Sequence, residues 1–153
     1  DGVYRLSLAI LGNEADARDA AQDAFVQAWT HLQGMRDAGK FDAWLQRIAV
    51  NAARMVHRAR RRRSVREITQ YSGDAGAIRA PWAPGDGDAA VLDAALRRLD
   101  VEQRAILVLH HLEGRSVAEL ASVLGLPIGT VKSRLHTARV ALQAAIDDET
   151  TDR

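Results

Sequence analysis

Cysteine is absent from the 153 residues, which excludes disulfides, cysteine-ligated zinc and a thiol nucleophile. Proline is nearly absent too, with three residues in all, and two of them, Pro81 and Pro84, fall within one short stretch. Aromatic residues make up 5% of the chain, so its cores must be built mainly from Ala, Leu, Val and Ile. That composition favours helices over β-sandwiches. The longest apolar run, Ala105–Leu109, is far too short to span a bilayer. Leu6–Leu11 lacks the basic flank and cleavage site of a secretory leader. A cytoplasmic location is therefore expected. The chain opens on Asp1 rather than Met, consistent with a trimmed natural N-terminus.

A formal net charge of +1 argues on its face against a nucleic-acid binder. The distribution reverses that reading. Eight arginines and no acid lie between Arg47 and Arg66, whereas five acids face two arginines between Asp1 and Asp23. The balanced total conceals charge segregated along the chain.

Between Gln70 and Asp88 the sequence YSGDAGAIRAPWAPGDGD has no helical period and reads as a flexible linker. The spacing of apolar residues predicts helices over Val3–Leu11, Glu14–Leu32 and Phe41–Arg63 before it. After it, helices are predicted over Ala89–Leu99, Val101–Leu112, Val117–Leu124 and Ile128–Ile146. No stretch alternates with period two, so no strand is assigned. The expected fold is all-α: two small helical domains, 1–68 and 89–147, joined by a linker over 69–88 and followed by a tail at 148–153.

On the second helix Ala17, Ala20, Ala21, Ala24, Phe25, Ala28 and Leu32 form the expected buried stripe. Asp16, Asp19, Asp23 and Thr30 lie opposite, with Val26 among the acids. This acidic side fits a solvated face or a contact for a basic partner. The third helix discriminates better. Its apolar side is Phe41, Leu45, Ile48, Ala52, Met55, Val56 and Ala59. Arg47, Asn51, Arg54 and Arg58 stack on the other side, in a row that runs into Arg60–Arg63. Like charges at helical spacing repel by a few tenths of a kcal/mol per pair. A polyanion removes that repulsion and gains counterion release. Nucleic acid is thus favoured over an anionic membrane surface or a plain solvated face.

The sharpest local signal is SVAELASVLGLPIGTVKSRLHTARVAL. Ser116 and Glu119 form a capping box ahead of the stripe Val117, Leu120, Ala121, Leu124. Gly125 supplies the positive φ of a tight interhelical turn, and Pro127 presets the next helix. On that helix Ile128, Val131, Leu135, Ala138, Leu142 and Ile146 are expected inside. Gly129, Ser133 and His136 point away, flanked by Thr130, Lys132, Arg134, Thr137 and Arg139. Small polar groups on the crest with cations beside them suit a helix in a major groove. The plainer alternative is an ordinary helical hairpin.

The five histidines are scattered, and no zinc-protease or phosphate-loop motif occurs. No catalytic residue, metal or cofactor is expected, and Asp147 and Asp148 read as a solvated acidic tail.

Three stretches together resemble the extracytoplasmic-function group of bacterial RNA polymerase sigma factors, over nearly the full chain. DARDAAQDAFVQAW, Asp16–Trp29, resembles the group's polymerase-binding helix. FDAWLQRIAVNAARMVHRARRR, Phe41–Arg62, resembles its promoter-reading helix, and Leu96–Leu142 resembles its C-terminal DNA module. The resemblance implies that Asp19, Gln22, Asp23 and Gln27 dock on the clamp helices of core RNA polymerase. It implies that Arg47, Asn51 and Arg54, with Arg58 continuing the row and the loop Gln33–Lys40 beside it, hold the melted non-template strand of the minus-ten element. Thr130, Lys132, Ser133, Arg134, His136, Thr137 and Arg139 would read the minus-thirty-five element as duplex. The linker would run toward the polymerase's RNA-exit path, and all catalysis would belong to the polymerase. Members of the group are often held inactive by an anti-sigma protein, which the resemblance adds as a candidate partner. The chain departs from the pattern at Met35, where an aromatic is frequent, and at Asp42, where a base is frequent. It also lacks the usual Ser or Thr near Gly39, and its opening helix is short. The competing reading is a helix-turn-helix regulator that never joins polymerase; a nuclease or recombinase fragment comes third.

Overall fold

The structure is a computed structural model that describes residues 2–67 and 87–151. Its contacts divide the chain into two compact units, Asp1–Ile78 and Arg79–Arg153. Among the described residues every regular element is helical. The linker expected over 69–88 lies outside the described residues except for Gly87 and Asp88, which open a helix instead.

The first unit contains α1 (Gly2–Leu11), α2 (Glu14–His31) and α3 (Phe41–Glu67). Two single 3₁₀ turns, Leu32–Gly34 and Ala38–Lys40, connect α2 to α3. Gly12, at φ 74°, makes the corner after α1 where a Cβ would be strained. Asn13 then caps α2, its Oδ1 accepting from the Asp16 amide at 2.8 Å. Ala17, Ala20, Ala21 and Ala24 are buried, so small side chains let α1 and α3 approach α2 closely. From α3 the core takes Ala49, Val50, Ala52 and Ala53. Ile10 and Val50 are fully enclosed.

Several residues expected inside are not. Phe25 is 51% exposed and Leu32 is exposed as well, because α1 is ten residues long, about 15 Å, and covers only the beginning of α2. Met55, at 62%, and Phe41 are exposed for a different reason. The buried side of α3 is centred on Ala49 and Ala53, which turns Met55 out of the interface.

The second unit contains α4 (Gly87–Arg98), α5 (Val101–Leu107), α6 (Val117–Leu124) and α7 (Ile128–Thr151). Asp100 caps α5 in a capping box completed by Gln103. The end of α5 widens into a π turn, Val108–Leu112, which leads into the corner before α6. There the His110 Nδ1 lies 2.8 Å from the Arg115 carbonyl. Leu109, Leu120, Val123 and Val131 form the enclosed centre. Arg104 on α5 is buried as well. Burial pushes its pKa down, Arg97 pushes the same way, and Asp100 offsets part of this.

The helix-turn-helix expectations hold locally. Ser116 Oγ accepts from the Glu119 amide at 3.2 Å, and Glu119 Oε2 accepts from the Ser116 amide at 2.7 Å. Gly125 has φ 66°, and its amide satisfies the Ala121 carbonyl. The Pro127 carbonyl accepts from the Val131 amide at 3.0 Å, opening α7. Val131, Leu135 and Ala138 are buried, but Ile128 is half-exposed at the first position of the helix, ahead of the packed stripe. The region expected as an acidic tail continues α7 to Thr151. Arg98 explains it, donating to Asp148 at 2.9 Å and reaching Glu149 at 3.5 Å, which fastens the last turns to α4.

Glu119 carries a testable pH dependence. Its bonds with Ser116, backbone first and side chain next, hold its pKa below the ordinary glutamate range, with Arg115 assisting. A depressed folded value stabilises the folded state above the unfolded pKa, and that contribution is lost as acid titrates through the folded one. The melting temperature of Glu119→Gln should therefore lie below that of the parent at neutral pH. The gap should close below the ordinary glutamate range, as followed by circular dichroism across pH.

Candidate functional site

In the first unit, the candidate residues fall on two helices that share a core. Asp19, Gln22 and Asp23 are exposed on α2, while Gln27 is half-buried. At ~100° per residue, Asp19, Gln22 and Val26 face outward, whereas Asp16, Asp23 and Gln27 turn toward the α3 side. The four proposed docking residues thus form a band around part of α2 rather than one line. Val26, 60% exposed, and Trp29, 81% exposed, extend the outward line with apolar surface.

On α3, Arg47, Asn51 and Arg58 are exposed and Arg54 is half-buried, all opposite the buried side of Ala49, Val50 and Ala53. The Arg54 Nη1 donates to Asn51 Oδ1 at 3.3 Å, which pre-orients both groups along the row. Beside them, Phe41 and Trp44 rings meet at 5.8 Å between centroids. The loop Gln33–Lys40 is exposed apart from half-buried Met35, and Asp37 caps its second 3₁₀ turn by accepting from the Gly39 amide at 3.0 Å. An exposed loop of this kind, adjoining an arginine row, can take up a single strand and its bases.

The acidic and basic faces are not wholly separate. Arg60 Nη1 donates to Asp16 Oδ2 at 2.8 Å, across 44 residues of sequence. Beyond this ion pair a groove of about 740 Å³ opens. Asp16, Asp19 and Asp23 form one wall, Arg60, Arg62 and Arg63 the other, and Met55 and Ala59 lie between. Arg60 therefore turns back toward α2 instead of continuing the outward row as its position in the basic run suggests. Asp19, Asp23 and the row Arg47, Asn51, Arg58 remain at the surface.

In the second unit, Lys132, Ser133, Arg134, His136, Thr137 and Arg139 are exposed on α7, and Thr130 is half-buried. Ser133 Oγ donates to the Thr130 carbonyl at 3.0 Å and Thr137 Oγ1 to the Ser133 carbonyl at 3.0 Å. Ser133, Arg134 and Thr137 also border a shallow hollow whose other side is Asp100, Glu102 and Gln103 at the start of α5. α7 thus has acids along one flank. On the other flank lies His111, which sequence reasoning set aside. Burial pushes its pKa down, with the neighbouring His110 and then Arg139 adding to the shift. No group of His, Cys, Asp and Glu that could hold a metal ion occurs among the described residues. No described helix is long and apolar enough to cross a membrane.

The comparisons with known proteins follow these two surfaces. Residues 1–63 match the model for Sigma-70 region 2, and residues 89–142 match that for Sigma-70, region 4. The chain is 30% identical to the ECF RNA polymerase sigma factor SigW of Bacillus subtilis, an alignment covering 97% of this chain and 84% of that protein. It is 32% identical to the ECF RNA polymerase sigma factor SigL of Mycobacterium tuberculosis, over 95% of this chain and 83% of that protein. Among solved structures it is similar to the sigma factor RpoE in complex with the anti-sigma factor NepR from Bartonella quintana. That match has a TM-score of 0.75 and 25% identity, over 95% of this chain and 90% of that one. CnrH in complex with the cytosolic domain of CnrY is similar at a TM-score of 0.66 and 29% identity, over 95% and 80% of the two chains. An acid-faced helix, an arginine-rowed helix and a helix-turn-helix occur here in one chain, matched along nearly its whole length, and the chain belongs to the ECF family of RNA polymerase sigma factors.

Proposed function

We propose that the chain divides its work between the two units, polymerase docking and minus-ten recognition in 1–68 and minus-thirty-five recognition in 89–147. In the first, Asp19, Gln22, Asp23 and Gln27 on α2 take the basic surface of core polymerase. Arg47, Asn51, Arg54 and Arg58, with the loop Gln33–Lys40, hold the melted non-template strand. Strand opening is driven by binding: a base captured outside the stack is a base no longer paired, so affinity for the single strand becomes work on the duplex. In the second, Thr130, Lys132, Ser133, Arg134, His136, Thr137 and Arg139 address the duplex, and no residue of the chain acts as a catalyst.

The observation that carries this reading is the pair of opposite-signed outward surfaces on adjacent helices of the first unit. A regulator that never meets polymerase has use for the arginines but none for exposed Asp19 and Asp23. The similar structures hold RpoE with NepR and CnrH with CnrY, so an anti-sigma protein is the further partner proposed for this chain. The deciding experiment is run-off transcription with core polymerase on a promoter library. Enrichment of a two-part motif is expected, and transcripts that do not depend on the chain would overturn the assignment.

Two classes of substitution should separate on α7. Lys132→Ala should weaken binding to all duplexes by a similar factor and lower the salt slope by about 1. His136→Ala should instead redistribute preference among minus-thirty-five sequences, as read by a binding-site selection. Identical motif profiles for both variants would remove His136 from the reading face.

A further inference from the structure

The end of α3 is an overhang. Residues 60–66 are all exposed, and they contain Arg60, Arg61, Arg62, Arg63 and Arg66. Five guanidinium groups within two turns repel one another, and the last turns of a helix fray first. One tie to the body of the unit is the ion pair from Arg60 Nη1 to Asp16 Oδ2 at 2.8 Å. The Asp16 side chain is only 18% exposed, and its Oδ2 also accepts from Asn13 Nδ2 at 2.8 Å. Asn13 is in turn fixed as the cap of α2, through the Asp16 amide. The carboxylate is therefore held in place before Arg60 arrives, as a bound phosphate oxygen would be. Arg61 lies off the groove on the same turns, whereas Arg62 and Arg63 share the groove wall with Arg60, so a strand that passes Arg58 and engages these arginines meets Arg60 beside them.

We propose that Asp16 is an internal stand-in for phosphate: in the free protein it occupies Arg60, and nucleic acid must displace it to use the last part of the arginine run. The inference rests on the reading of α3 as a nucleic-acid surface and adds to it a built-in competitor on the polymerase-docking helix. Asp16 lies on one wall of the groove that also carries Asp19 and Asp23. A basic partner that engages this wall competes with Arg60 for the fixed Asp16 carboxylate and frees the guanidinium. Docking and strand binding are then linked, and the linkage is reciprocal.

The test is the affinity of the free chain for a single-stranded oligonucleotide, measured by fluorescence anisotropy over a range of salt. Asp16→Asn keeps an acceptor for Asn13 but loses the charge. It should bind roughly threefold tighter, with a salt slope steeper by about 0.7, the value for one additional phosphate contact on a single strand. Asp16→Glu should return to parental affinity. In an Arg60→Ala background, Asp16→Asn should change nothing. Unchanged or weaker binding by Asp16→Asn would overturn the proposal, and so would a gain that persists without Arg60, which would mark a general effect of net charge. Arg54→Ala in the same assay keeps the two ideas apart. If it has no effect, the α3 reading fails; if it weakens binding while Asp16→Asn does not strengthen it, only the competitor fails.

Discussion

Replacing Asp19 and Asp23 together by lysine is expected to abolish association with core polymerase while leaving the first unit folded. Both side chains are exposed, and neither contributes to the alanine-lined core. Surface changes of this kind usually alter stability by less than about 0.5 kcal/mol. At an interface the same reversal is far more costly, because a basic partner meets two new positive charges where it met two negative ones. Like-charge juxtaposition costs several kcal/mol, so a loss of roughly 100-fold or more is expected in a pull-down with purified core enzyme. Parental circular dichroism together with lost association is the expected pair of results. Full association would place the docking surface elsewhere on the chain.

The second large effect concerns Arg54. Replacement by alanine should weaken binding to a pre-melted promoter roughly 10-fold to 100-fold, the range for a lost hydrogen bond to a charged group. The loss on intact duplex should be several times smaller. The difference arises because Arg54 does two things. It carries charge, which any phosphate backbone feels, and it donates to Asn51 Oδ1 at 3.3 Å. Without it, Asn51 loses the neighbour that orients its amide, and Asn is the member of the row suited to a base edge. Competition gels with melted and duplex templates make the comparison. Equal losses on both would reduce the row to an electrostatic cushion.

What could be read from the amino acids in advance was chiefly what is local. The Ser116–Glu119 box and Gly125 each depend on residues within four positions of one another, and each takes its expected form. The alanine stripe of α2 was legible because helical periodicity alone picks it out. Phase on α3 was harder. Apolar residues occur around more of that helix than one stripe needs, and only the contact with α1 and α2 selects Ala49, Val50 and Ala53 over Met55. Exposure of Phe25 could not be inferred from α2 at all, since it depends on how far a different helix extends. The Arg60–Asp16 ion pair joins residues 44 apart, a pairing no periodic pattern encodes. The cap at Asp100 is legible in the same way, since Asp-x-x-Gln before an apolar run is a variant of the same box. The widened turn at Val108–Leu112 had no signal, because no Gly or Pro marks a break there.

On α7, the hydroxyl protons of Ser133 and Thr137 are already committed to backbone carbonyls one turn back. What these oxygens still offer is lone pairs. Lowered into a major groove, such an oxygen is matched by the exocyclic amino hydrogens of cytosine or adenine, which need an acceptor. Thymine O4 and guanine O6 are acceptors themselves, and to meet either one the hydroxyl would have to desert its own helix. On the proposed reading of α7, two small side chains would thereby be biased in the bases they prefer, by the helix that carries them and before any DNA arrives.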